Sequence, residues 1–288
     1  MSPGARRPRL AGVSLAVPRA MAVSAAVALV SLASPISLGA QERDRGGSNL
    51  GFDPGGYQQF NTNYTGHFTF VRLMYRTSPR RAYRNPGWAH DYPVAERNFG
   101  KILSELTTMT PWLGGSNVLA MDDPELFKYP VAYLSEPGDW ELSQEEAETL
   151  RAYILKGGFL IIDDMSGPWH FENTVRMLQY ALPDLRVVEI PIEHPIFDSF
   201  FHLEEEAIHS LGPSSGGRFR GGGGPARASY WGIFEDNDLE DGRLMVVINH
   251  DNDIGDYMEW SDSGFVPIAL SNEAYKLGVN YVVYAFTH

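Results

Sequence analysis

Ionisable residues gather at the ends of several apolar runs, and their types suit cation or proton chemistry. The densest group is NHDNDIGD, residues 249 to 256. Asp251, Asp253 and Asp256 are hard oxygen donors of the kind calcium or magnesium takes, and Gly255 permits a sharp turn. Asn249 and His250 open the group. It is not an EF-hand loop: with Asp251 as the first position, Gly255 falls fifth instead of sixth, and Asp262 stands twelfth where Glu is required. A hydrogen-bonded turn is the competing account of the same residues.

Asp163 and Asp164 close the run FLIIDD. Successive strand side chains point to opposite faces, so the pair is not expected to share one metal; one carboxylate would enter a pocket while the other caps a neighbouring helix. His194 is followed by Pro195, which holds it extended and would present a neutral imidazole for metal ligation or proton exchange. WAHDYP, residues 88 to 93, supplies the pair His90 and Asp91 beside two aromatics that could stack on a sugar. The same loop could equally be pinned by its aromatics, with Asp91 capping the helix after it. If the edge binds a cation, the candidates are Asp163, Asp164, His194, Asp251, Asp253 and Asp256; Asp oxygens favour calcium or magnesium, and His194 leaves zinc or manganese open.

Other chemistries find less support. No G-x-S-x-G elbow, HExxH helix or Walker Lys is present. Arg72, Arg76, Arg80, Arg81 and Arg84 form a basic cluster in an acidic chain and leave room for an anionic ligand. Arg72 differs from the others, since it lies inside a predicted strand and needs a buried acceptor or solvent at its tip.

The elements that must position these groups alternate between strand and helix. FTFVRLMY (68–75), Asn117 to Met121, Val131 to Leu134, FLIID (159–163), residues 185–190 and residues 244–249 read as strands. Ala95, Phe99, Ile102, Leu103 and Leu106 recur at helical spacing after Pro93. LSQEEAETLRAYILKGG has a capping box, Ser143 with Glu146, and a terminating Gly157. FENTVRMLQYAL is another helix, and a closing helix starts at Ser271 or Asn272. Crossovers of a dozen or more residues predict an α/β domain, a mainly parallel sheet flanked by helices. Ligands of such sheets bind outside the carboxyl ends of the strands. That rule collects Tyr75 and Arg76, Ser135 and Glu136, Asp163 and Asp164, Glu193 and His194, and Asn249, His250 and Asp251 on one edge.

The 288 residues include no Cys, which excludes disulfides, a thiolate nucleophile and Cys-ligated metal. Residues 1–40 carry Arg6, Arg7, Arg9 and Arg19, then the apolar stretch Ala20 to Ala33 and small residues before Gln41. This is the pattern of an export signal, placing the chain in the periplasm or outside the cell after cleavage; the alternative is an uncleaved N-terminal anchor. Residues 41–288 carry 19 Lys and Arg against 36 Asp and Glu, a net charge of −17 that disfavours nucleic acid. No second apolar run reaches spanning length. Residues 41–66 read as a flexible spacer, 67–288 as one domain, and GPSSGGRFRGGGGPARAS, 212–229, as a mobile surface insertion or a flap near a ligand site.

The blocks FTFVRLMY, WAHDYPVAERNF, YPVAYLSEPGDWELSQEEAETLRAYILKGGFLIIDD, EHPIFDSFF and AYKLGVNYVVYAFT together resemble the bacterial domain of unknown function 4159, over about residues 67 to 288. The resemblance implies a class I glutamine amidotransferase-like fold. That group's catalytic members use a Cys nucleophile, which has no counterpart here. Two functions are expected from these readings. One is a noncatalytic envelope module binding a polar small molecule, glycan, metal or envelope protein. The other is a metal-assisted hydrolase acting on a polar or glycan substrate. The ligand-binding candidates are Arg76, His90, Asp91, Glu136, Asp163, Asp164, His194, Asn249 and His250.

Overall fold

The computed structural model describes residues 58, 61–77, 86–212 and 227–288. The expected export signal, most of the spacer, Arg80, Arg81, Arg84 and residues 213–226 of the Gly-rich stretch lie outside the described residues. A seven-stranded sheet runs in the order β3-β1-β4-β6-β9-β8-β7, where β1 is Phe70–Met74, β3 Ser116–Ala120, β4 Val131–Ser135, β6 Phe159–Met165, β7 Val187–Glu189, β8 Ser229–Phe234 and β9 Leu244–His250. The first five in that order pair in parallel, and β8 is antiparallel to both β9 and β7. A small separate ribbon pairs β2, Arg76–Thr77, with β5, Trp140–Glu141.

Alternation in the central strands explains the layering. Val131, Tyr133, Phe159, Ile161 and Val247 face a core built with α1 (Val94–Leu106), α5 (Ile254–Glu259) and α6 (Ile268–Thr287). Ala132, Leu134, Leu160, Ile162, Val246 and Ile248 face the opposite core with α2 (Gln144–Leu155) and α3 (Gly167–Ala181). A sheet covered on both faces needs apolar residues at every position, and all five residues of β4 are buried. A short helix α4, Glu205–His209, follows β7.

Local chemistry sets the element ends. Ser143 Oγ accepts from Glu146 N at 3.2 Å while Glu146 Oε2 accepts from Ser143 N at 2.7 Å, the reciprocal box expected from the sequence. Helix α6 begins at Ile268, three residues earlier than Ser271, because Pro267 stands extended just before it and the exposed Ile268 gives no periodic signal. Strand β8 is a departure from the sequence reading: Ser229, taken as the end of the Gly-rich insertion, opens it, and Ala228 before it is fully buried. Residues 61 and 62 depart from the spacer reading. The Asn61 carboxamide donates to Val118 O and accepts from Val118 N, both at 2.8 Å, and Thr62 exchanges bonds with the Asn117 side chain. Asn61 thus pairs with edge strand β3 as a strand residue would.

Counted in chain order, the five parallel strands follow the order second-first-third-fourth-fifth, so successive connections from β1 depart in opposite directions and a crevice opens between β1 and β4. Among the described residues no helix is long and apolar enough to cross a membrane.

Candidate functional site

Four carboxyl-end segments converge near that crevice. After β1, the chain reaches a 3-10 turn at Gly87–Ala89 whose Trp88 is fully buried. Arg72, inside β1 and fully buried, fixes this turn from below: its NH1 donates to Trp88 O at 2.8 Å and His90 O at 2.6 Å, and its Nε bonds Glu96 Oε1 of α1 at 2.5 Å. The acceptor that the sequence demanded for Arg72 is therefore Glu96, 24 residues along. Gly87 lets the turn lie against the loop after β4, since a Cβ there would come 2.7 Å from both Glu136 Oε2 and the Tyr75 hydroxyl. Tyr75 donates its hydroxyl proton to Glu136 O, and Glu136 occupies the left-handed region at φ 45°.

The two carboxylates that end β6 diverge. Asp163 faces the α5 side, where it accepts from the Tyr133 hydroxyl at 2.7 Å, Asn249 Nδ2 at 2.8 Å, Gly255 N at 3.1 Å and Ile254 N at 3.4 Å. It ties α5 to the sheet, and Asn249 is held for this task by the Tyr281 hydroxyl at 2.7 Å. Burial pushes its pKa up and these donors pull it back. Asp164, at φ 55°, turns the other way into a cluster with the groups from the neighbouring loops.

That cluster comprises His90, Asp91, Glu136, Asp164, Asp253 and Asp256. Their ligand atoms fall into three overlapping triplets, each within 4.8 Å: His90, Asp91 and Asp256; His90, Glu136 and Asp164; Asp91, Asp164 and Asp253. His90 Nδ1 lies 3.0 Å from Asp91 Oδ1 and 2.9 Å from Asp164 Oδ2, yet neither contact has hydrogen-bond geometry. Each oxygen lies off the direction in which a proton on that nitrogen would point. Both oxygens of Asp91 are buried without a hydrogen-bond donor, although its side chain is wholly excluded from solvent. Asp253 caps α5 by accepting from Asp256 N at 2.9 Å. Gly255 between them is obligatory, because a Cβ would collide with Asp91 Oδ2 and sit 3.0 Å from the Tyr133 hydroxyl.

Crowded, desolvated carboxylates resist ionisation. Burial, with the nearby charges of Glu136 and Asp91, raises Asp164 to about 7; burial and then Asp164 and Asp91 push Asp253 well above its ordinary value. The adjoining carboxylates of Asp164 and then Asp91 drive His90 up to about 12 against its own burial. Glu259, one turn beyond Asp256, is raised to about 7 by burial and the adjacent Asp91 and Asp256.

Four of the expected residues stand elsewhere. Arg76 is exposed and pairs with Glu146 of α2 at 2.9 Å. His250 packs on Phe171, ring centroids 4.6 Å apart, with Nδ1 3.1 Å from Ser229 Oγ, and Asp251 accepts from Gly167 N at 2.8 Å, which holds the start of α3. His194 departs furthest from the common edge. The chain folds back after Ile190, and the imidazole packs against Phe234 and Tyr284, level with Leu244 at the start of β9. Five residues along β9 separate that level from Asn249, about 16 Å at 3.3 Å each. A cation bound by Asp163 or Asp251 together with His194 is accordingly excluded by this arrangement. Sequence reasoning missed Glu259, although its position three residues after Asp256 on a helix was a signal, and missed Tyr133 and Tyr281, which nothing distinguishes from core aromatics.

Residues 69–286 match a family described as Domain of unknown function (DUF4159). No curated protein matches the chain.

Proposed function

Since the chain belongs to that family, whose description carries no reaction, we propose from its site that it is an exported, cation-dependent binding domain of the bacterial envelope, built on a class I glutamine amidotransferase-like fold without the nucleophile. His90, Asp91, Asp164, Asp253 and Asp256 hold a divalent cation, and the cation receives a polar ligand at the crevice. The observation that carries this reading is His90 Nδ1 flanked by carboxylate oxygens at 2.9 and 3.0 Å without hydrogen-bond geometry. Adjacent ligands of an octahedral cation with bonds of about 2.1 Å stand about 3.0 Å apart. They also lie off the nitrogen's axis, as these do. A proton on Nδ1 would point at neither oxygen.

The mixed donor set selects the ion. Imidazole with carboxylates suits manganese or zinc better than calcium, which takes oxygen alone. Export rests on the basic leader and apolar stretch of residues 1–40.

Metal-assisted hydrolysis is the second reading, and it is favoured by access: the His90 side chain is 36% exposed, so a bound cation retains room for water. Calorimetric titration of the chelator-treated protein with manganese, zinc, magnesium and calcium tests the proposal. Saturable manganese or zinc binding is expected, with a loss of ten-fold or more in affinity for Asp91→Asn. Absence of saturable binding by a folded wild-type protein refutes it. Turnover of ester or glycoside substrates only in the loaded protein would select the hydrolase.

A further inference from the structure

Building on the cation-binding reading, we infer that the cluster is a two-cation centre in which the Asp164 carboxylate bridges the ions. His90, Glu136 and Asp164 make one set; Asp91, Asp164 and Asp253 make the other, and Asp164 is common to both. A bridging carboxylate presents one oxygen to each of two ions that stand about 3.5–4 Å apart. The first set joins the loops after β1 and β4 to the end of β6, and the second joins the loops after β1 and β9 to it.

Charge balance points the same way. Five carboxylates, Asp91, Glu136, Asp164, Asp253 and Asp256, share this space with one imidazole, and Asp163 beside them already has its own four donors. Cations bound here would favour the ionised form of carboxylates that otherwise crowd one another in a desolvated site. Asp91 adds an independent sign. It is 5% exposed, neither of its oxygens has a hydrogen-bond donor, and its Oδ2 packs against Gly255. A buried carboxylate with no donor is the expected state of a ligand awaiting its ion.

Backbone geometry supports the assignment without carrying it. Asp91, Glu136 and Asp164 stand at φ 63°, 45° and 55°, the left-handed region that favours glycine and that other residues hold only where their surroundings enforce it. All three belong to the two sets.

The test is metal stoichiometry of the full chain, reconstituted with manganese after chelation and read by elemental analysis and electron paramagnetic resonance. Two ions per chain with an exchange-coupled spectrum are expected. Glu136→Gln should retain one ion and Asp253→Asn the other, each with an uncoupled signal, while Asp164→Asn weakens both; circular dichroism shows that each variant is folded. One ion per chain in the wild type overturns the pair and leaves the cation-binding reading standing. No bound ion overturns both. Two uncoupled ions that survive in Asp164→Asn overturn the bridge.

Discussion

Replacing Arg72 by Met would remove the cation buried among the Glu96 carboxylate and the carbonyls of Trp88 and His90. Met fills most of the volume, so the loss is electrostatic. Glu96, 2% exposed, would then be buried without its partner, and breaking such a pair costs about 3–5 kcal/mol. The guanidinium also stands 5.0 Å from the Tyr133 ring centroid, a contact worth about 0.5–2 kcal/mol when desolvated. Domains of this kind are stable by about 5–15 kcal/mol, so the variant should fold with roughly half its margin gone. Glu96→Leu alone should cost a similar amount, for it leaves the guanidinium unpaired. The double variant should cost much less than the sum, because replacing both members with apolar groups removes the stranded charge. Urea unfolding followed by circular dichroism gives the four free energies, and the cycle should return a coupling of at least about 2 kcal/mol. Additive costs, within about 0.5 kcal/mol, would refute the argument that Arg72 and Glu96 are each other's counter-ion.

Two further outcomes follow from local geometry. Ser143→Ala removes the acceptor for Glu146 N and should lower stability by about 1 kcal/mol in the same urea assay without changing the far-ultraviolet spectrum. His194, held down to about 4 by burial and then by His288, stays neutral in the folded chain while the unfolded chain takes up a proton near 6.5. Its stabilising contribution is therefore complete above pH 6.5 and is lost as pH falls towards 4. Allowing for solvent screening, the loss is about 1–2 kcal/mol; His194→Asn, which can still accept from Ile196 N, should flatten the Tm-against-pH curve over that interval relative to the wild type.

The layered architecture was legible because continuous apolar runs such as VAYL and FLII have one economical environment, a sheet covered on both faces. The capping box at Ser143 was legible because both partners lie within four residues. Strand β8 was hidden: SYWGIF follows a Gly-rich stretch and includes Gly232, so no alternation stood out from its surroundings. At the site, Asp163 and Asp164 were identifiable as strand-end carboxylates, and the alternation of strand side chains anticipated their divergence. Which neighbours each would meet depended on the strand order, which periodicity does not encode. His194 shows the limit most clearly. It follows a strand that ends near the right edge, but the direction of the chain after Ile190 is decided by packing of Ile196 and Phe197 into the α6 core. Arg72 worked the other way, since a charge inside a strand announces that a partner exists without saying where.

The Asn61 carboxamide has a consequence for how these molecules meet one another. An outer strand of a sheet offers unsatisfied amides and carbonyls to any extended segment that drifts alongside, which is how folded proteins begin to associate edge to edge. Here one side chain occupies both the donor and the acceptor of Val118, and Thr62 with Asn117 closes the adjoining stretch of β3. A strand from a second molecule would have to displace four hydrogen bonds before forming its first. The segment leading into the domain thus guards colloidal stability at its outer border, a task of value wherever the protein is crowded.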